Sequence, residues 1–203
     1  MLPQTIEKQL GGFENSSFDN LGVVYGNTEW ISNDKKHIRY FMPVDENKKR
    51  IKAQPVGNIY KGLLNGENNV GSVASMAKKE VFDRLNGYDE NLAYEDYDFW
   101  IRASRIYNFD YIDEILIQKR VLENSLGLQL FKKGNKRTRN FNYSTYLILQ
   151  KAYILNRNRD EFQAMLKRIH FEMTVAFKSN DFLLLLKYVV LEIRVRGKIL
   201  KGI

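Results

Sequence analysis

The feature that most constrains this chain is a change of hydrophobic period near residue 130. Before it, short apolar runs suited to a pleated surface alternate with stretches of helical spacing; after it, only helical spacing remains. Leu21-Gly22-Val23-Val24-Tyr25 reads as a buried strand ending at Gly26-Asn27, and residues 70–76 read as another. Ser32-Asn33-Asp34-Lys35 is turn chemistry between Trp30-Ile31 and Ile38-Arg39-Tyr40-Phe41, and a charged surface run covers 45–52. Residues 78–85 have the spacing of a helix that Asn86-Gly87 stops, because glycine tolerates the left-handed backbone common just past a helix end. A further helix begins at Glu95, and 110–118 alternates apolar and polar residues as a short strand does. Ser144-Thr145, Asn158 and Ser179-Asn180 then mark the N-caps of three helices that end near Asn156, Lys178 and Lys198. The pattern predicts an α/β fold, a mixed sheet with flanking helices over 1–130, joined to an α-helical extension over 131–203.

Composition removes several classes of chemistry. With 44% hydrophobic residues and only 13 Gly and 3 Pro in 203, the chain can build a core and is not a linker or a collagen. The absence of cysteine excludes disulfides, thiolate zinc sites and Cys nucleophiles, and is compatible with a reducing cytoplasm. The two histidines, His37 and His170, are given no role. No stretch reaches the roughly 18 apolar residues of a spanning helix, and the N-terminus lacks a signal-peptide pattern. The expectation is a cytoplasmic protein, soluble or peripheral on the inner face of the membrane.

Charge is divided unevenly. Residues 1–118 carry 14 Lys and Arg against 18 Asp and Glu, whereas 119–203 carry 18 against 6, a net +12. Such a field attracts phosphate, nucleic acid or anionic lipid, and a solvated cationic face is the plainer reading. In the last helix Lys187, Arg194, Lys198 and Lys201 share one face, while Phe182, Leu185, Leu186, Val189 and Ile193 occupy another. This cationic amphipathic segment, 181–203, either lies on an anionic membrane or packs its apolar face on the domain, the commoner use. The KKGNKRTR run at 132–139 reads as an exposed loop, with phosphate contact the alternative.

Candidate chemistry is concentrated between Gly87 and Arg102, where Asp89, Glu90, Glu95, Asp96 and Asp98 crowd the entry to the helix. A carboxylate in a first helical turn is held ionised by the backbone N–H groups and the dipole, which suits a base accepting a proton from a sugar hydroxyl. Asp96 is the candidate, with Glu95 beside it; the alternative is acidic residues favoured at a helix start. Asp98 and Arg102, four apart, are placed to pair and support the site. Trp100 among Phe99 and Ile101 suits a core as well as a sugar platform.

Several stretches together resemble the family 2 glycosyltransferases. They are Asn86-Gly87-Tyr88-Asp89-Glu90, Glu95-Asp96, Trp100-Ile101-Arg102 and Lys119-Arg120-Val121-Leu122-Glu123-Asn124-Ser125, with Val23-Val24-Tyr25-Gly26-Asn27 upstream. The resemblance covers residues 1 to about 127. It implies a partial GT-A fold and inverting transfer of a sugar from a nucleotide-sugar donor to a glycan or lipid-linked acceptor, in cell-surface polysaccharide synthesis of a bacterial kind. It further implies Asp96 as general base, Arg120 beside the donor diphosphate, and Asp89, Tyr97 and Trp100 on the substrate side; an ion pair of Arg120 with Glu123 or Asp113 is the alternative. A divalent cation, magnesium or manganese, is expected for the family, but its ligands are not found in this chain. Residues 1–9 resemble the segment just after the family's metal-binding Asp-x-Asp, so the nucleotide-binding half is expected to be missing. Asp96-Tyr97-Asp98 opens a helix instead of ending a strand, and the family's histidine after arginine is Leu122, so no metal ligand is assigned. Two rival readings are a non-catalytic remnant that binds a glycan or partner, and a basic module for anionic membrane or nucleic acid. No specific nucleic acid is expected, because no recognised nucleic-acid motif is present.

Overall fold

The structure, a computed structural model, describes residues 1–67, 69–122 and 135–202. They form two compact units that interleave along the chain. One takes its described residues from 1–59, 69–87 and 106–122, the other from 60–67, 88–105 and 135–202. The fold class expected from the sequence is found: a four-stranded mixed sheet with flanking helices and a C-terminal helical region. The helix that starts at Glu95, however, is grouped with the C-terminal helices.

The sheet unit is organised by β1 (Leu21–Ile31), whose first eight residues are all buried. Along one edge β1 pairs in parallel with β4 (Asn108–Arg120), from Leu21 opposite Asn108 to Ile31 opposite Arg120. Its other edge is shared by two short antiparallel strands. β3 (Ser75–Ala77) pairs with Val23–Tyr25 of β1, and β2 (His37–Tyr40) pairs with its end through the turn at 32–35. Helices α1 (Thr5–Asn15) and α3 (Lys79–Leu85) complete the unit, and α3 ends on left-handed Asn86 (φ 56°) and Gly87 (φ 68°).

Two strand expectations change. β1 does not stop at Gly26 but runs on to Ile31, because Gly26 lets β4 come close: a Cβ there would lie 2.6 Å from Leu116 Cδ1. Asn27 is compatible with a strand interior because its amide is satisfied internally. Its Nδ2 donates to Met42 O (2.8 Å), and its Oδ1 accepts from the Met42 and Thr28 N–H groups. The second strand, expected over 70–76, is curled at its start into a 3-10 turn (Ser72–Ala74). There the Ser75 hydroxyl donates back to Ser72 O (2.9 Å), and only Ser75–Ala77 pairs.

The helical unit contains α2 (Tyr60–Asn65), α4 (Glu95–Ala103), α5 (Lys136–Leu155), α6 (Arg159–Lys178) and α7 (Phe182–Leu200). Its core includes Leu63, Phe99, Ile148, Leu149, Phe162, Met165, Tyr188 and Leu191. Asn158 caps α6 as expected, its side chain accepting from Glu161 N (3.0 Å). α5, by contrast, begins well before the expected cap at Ser144-Thr145: it starts at Lys136, with Asn135 as its cap. Thus 136–139 of the basic run are helical and not loop, while Lys132 and Lys133 lie outside the described residues. Asp181, not Ser179-Asn180, caps α7, accepting from Leu184 N (3.1 Å).

α7 also turns a different face inward. It buries Leu184, Tyr188, Leu191 and Val195, while Phe182, Leu186 and Ile193 of the expected apolar face are exposed. The sequence pattern pointed to one apolar face; the helix has two. Among the described residues no helix is long and apolar enough to cross a membrane.

Candidate active site

The candidate site lies at the start of α4, in the helical unit. Residues 88–94 lead into it and are held from the side by α5. Asp89 Oδ1 accepts from the Asn91 N–H (3.1 Å), closing a local turn. The Ala93 N–H donates to Ser144 Oγ (2.8 Å), and the Tyr94 ring stacks on Phe141 (4.4 Å between centroids) and on Tyr97 (5.0 Å). Phe141, Ser144, Ile148 and Lys151 are spaced by three, four and three, so one face of α5 supplies the support.

Lys151 ties that support to α4. Its Nζ donates to Asp89 Oδ2 (2.6 Å) and to Asp98 Oδ1 (3.0 Å), while Arg102 Nε donates to Asp98 Oδ2 (2.7 Å). The Asp98 side chain is 1% exposed, and each of its oxygens is met by one of these two cations. The i,i+4 pair of Asp98 and Arg102 matches the spacing in the sequence. The bond from Lys151, helped by Asn91, holds the Asp89 carboxyl at about 2, below its ordinary 3.8.

Asp96 faces elsewhere. Two positions on a helix differ by about 200°, which sends Asp98 into the core and leaves Asp96 half-buried at the surface, with Glu95 exposed beside it. Asp96 Oδ1 accepts from the Tyr97 N–H (2.8 Å). Both Asp96 and Glu95 occupy the first turn, where the N-terminal end of the helix favours anions. Burial, with the Asp96 and Glu95 charges behind it, raises the Tyr88 phenol above its ordinary range, and burial followed by Asp96 does the same for Tyr94. Tyr88 therefore keeps its proton beside the two carboxylates, and the residue is 40% exposed.

Tyr97 and Trp100 follow Asp96 along α4. Both are buried, the Tyr97 hydroxyl donates to Leu63 O (2.9 Å), and burial pushes its pKa up to about 12. Of the two readings of Trp100, the core is the one found. Arg120 lies in the sheet unit, exposed at the end of β4. Asp113, one of its alternative partners, is engaged by Arg50, whose N–H donates to Asp113 Oδ1 (2.9 Å). Glu123, with Asn124 and Ser125 of the motif, lies outside the described residues.

The structure thus brings Asp89, Glu95, Asp96, Tyr97 and Trp100 into one unit and adds Tyr88, Ser144 and Lys151, which sequence reasoning missed as site residues. Their signal was present but faint: Ser144 and Lys151 are polar residues in line with buried Ile148. Among the described residues, no group of three or more His, Asp or Glu side chains is placed to hold a metal ion. Asp89 and Asp98 are bridged by an ammonium, and Asp96 and Asp98 diverge. These carboxylates do not fit the divalent cation that the family resemblance implies.

No protein-family profile matches the chain. An uncharacterized glycosyltransferase of Methanocaldococcus jannaschii is 29% identical to it over 134 residues, covering 65% of this chain and 42% of that protein. The chain therefore spans less than half the length of this curated relative. The match supports a glycosyltransferase relationship.

Proposed function

We propose that this chain supplies the acceptor side of a glycosyltransferase, moving a sugar from a nucleotide-sugar donor to an acceptor hydroxyl with inversion. The observation that carries this reading is the separation of roles among neighbouring carboxylates. Asp89 and Asp98 are tied to Lys151 and Arg102, and Asp96, on another side of the helix, stands half-buried in the first turn of α4, where the N-terminal end favours an anion, with the exposed Tyr88 beside it.

In the proposed mechanism the acceptor hydroxyl approaches Asp96. The Asp96 carboxylate takes its proton as the hydroxyl oxygen attacks the anomeric carbon, and the nucleoside diphosphate departs from the opposite face. Tyr88 orients the acceptor through its O–H. Arg120 is proposed to stabilise the charge on the departing diphosphate, as a planar cation does well. The Lys151 network keeps α4 and its approach loop in register and takes no part in proton transfer. By resemblance, the acceptor is a glycan or a lipid-linked sugar of surface-polysaccharide synthesis.

The test is release of nucleoside diphosphate from UDP-glucose, UDP-galactose, UDP-N-acetylglucosamine and GDP-mannose, with mixed oligosaccharide acceptors and with or without magnesium or manganese. Turnover that falls about a hundredfold or more in Asp96→Asn, and far less in Glu95→Gln, is the expected result. Full turnover in Asp96→Asn overturns the assignment. Absence of turnover with every donor, in a protein that still binds an oligosaccharide, favours a glycan-binding remnant instead.

A further inference from the structure

The outer face of α7 is apolar where a surface helix is ordinarily polar. Leu183, Leu186, Val190, Ile193 and Leu200 are each 51–87% exposed. Their spacing of three, four, three and seven draws one continuous stripe, about 180° around the helix from the buried Leu184, Tyr188, Leu191 and Val195. At the start of the helix the stripe is extended by Phe182, whose ring meets exposed Phe177 of α6 at 6.4 Å. A helix apolar on two opposite faces has a second surface to satisfy.

The charges beside the stripe select what covers it. Lys187, Arg194, Lys198 and Lys201 run along one shoulder. Lys187 is anchored near the Tyr143 ring (4.5 Å) and Arg194 lies over the Tyr153 ring (4.7 Å), so both are held at the rim. The acidic groups of this segment are engaged elsewhere. Asp181 caps the helix, and Glu192 accepts from Arg196 (2.8 Å) and meets His170 (3.0 Å). A groove at the start of α7 is lined by Arg139, Tyr143, Leu183 and Lys187 together with the capping Asp181, so two cations and apolar surface outnumber its one carboxylate.

We propose that this face docks on an anionic lipid surface, the stripe entering the boundary between headgroups and acyl chains while the Lys and Arg shoulder meets the headgroups. A second copy of the chain is the poorer occupant, because pairing two such stripes sets the cationic shoulders against one another without acidic counterparts. The helix lies on the surface and does not cross it, in keeping with its length and charge. This inference is independent of the glycosyl-transfer reading.

The test is co-sedimentation of the full chain with phosphatidylcholine vesicles, with and without added phosphatidylglycerol. Wild type is expected to partition about tenfold or more in favour of the anionic vesicles, a preference that added salt weakens. Leu186→Ser with Ile193→Ser should lose about tenfold or more in binding, while Arg194→Glu with Lys201→Glu should lose the anionic preference. All four side chains are exposed, so the thermal melts of both variants should stay close to wild type; a variant that melts early is replaced by Val190→Ser, read the same way. Equal binding to both vesicle types, or undiminished binding by the serine variant, overturns the proposal. So does a lipid-free dimer that the serine substitutions dissociate, since the occupant would then be a second copy.

Discussion

The two units bury different kinds of polarity. Among the described residues, the buried polar side chains of the sheet unit are the neutral Thr5, Gln9, Asn27 and Thr28. The helical unit buries neutral polar side chains as well, Asn142, Ser144 and Thr145 among them, and adds the ionisable Asp98 and Glu172; it also nearly buries Arg105, whose guanidinium pairs with Glu161 (2.7 Å) and covers the Tyr60 ring at 4.0 Å. Backbone pairing and an apolar pleat specify the first unit. The second is specified partly by ion pairs that must form together, because a buried charge without its partner costs several kcal/mol. Glu172 makes the cost visible: burial raises its pKa even though Arg168 donates to it at 2.7 Å.

The strongest way to break this contrast is Asp98→Ala. It removes the shared acceptor of Lys151 and Arg102 and should lower stability by about 3–5 kcal/mol, read as a shift of the urea midpoint; Asp98→Asn should cost less. If the alanine variant melts like wild type, the network is ornamental and the contrast fails. Next is Gly26→Ala in the sheet unit. The added methyl meets Leu116 at 2.6–2.7 Å, and the loss should be about 1–3 kcal/mol with no change in the pH dependence of stability.

The smallest effect sharpens the comparison through pH. The Asp89 carboxyl titrates at about 2 in the folded chain, below its ordinary 3.8. Its contribution is therefore fully present above about pH 4 and is lost as pH falls toward 2. Asp89→Asn should cost about 1 kcal/mol or less at pH 7, since the pair is partly exposed, and the gap to wild type should close on acidification across that window. A gap that stays constant from pH 7 to pH 2 would mean that the ion pair is not its source.

Legibility in the sequence divides along the same line between local and distant partners. The turn at 32–35, the stop at Asn86-Gly87, the start of α4, the Asn158 cap and the Asp98–Arg102 pair all depend on residues within a few positions, and each was found. The continuation of β1 past Gly26 depends on Leu116, ninety residues away. Lys151 reaches Asp98 and Asp89 across 53 and 62 residues, and its faint local signal, a polar residue in line with Ile148, names neither partner. Ser144 has the chemistry of a cap, but a serine near an apolar run has two uses, and here its hydroxyl accepts from the Ala93 N–H while Asn135 caps the helix. For α7 the sequence reading picks the face of Phe182, Leu185, Leu186, Val189 and Ile193, and packing buries that of Leu184, Tyr188, Leu191 and Val195.

The central claim is that α4 divides its carboxylates, one for structure and one for chemistry. It is tested most directly by measuring, on one preparation of Asp96→Asn, both the melting temperature and the release of nucleoside diphosphate from the donor that wild type uses. The account predicts a melt within a few degrees of wild type and turnover reduced about a hundredfold or more. A variant that melts as early as Asp98→Ala, or that keeps its turnover, would contradict it.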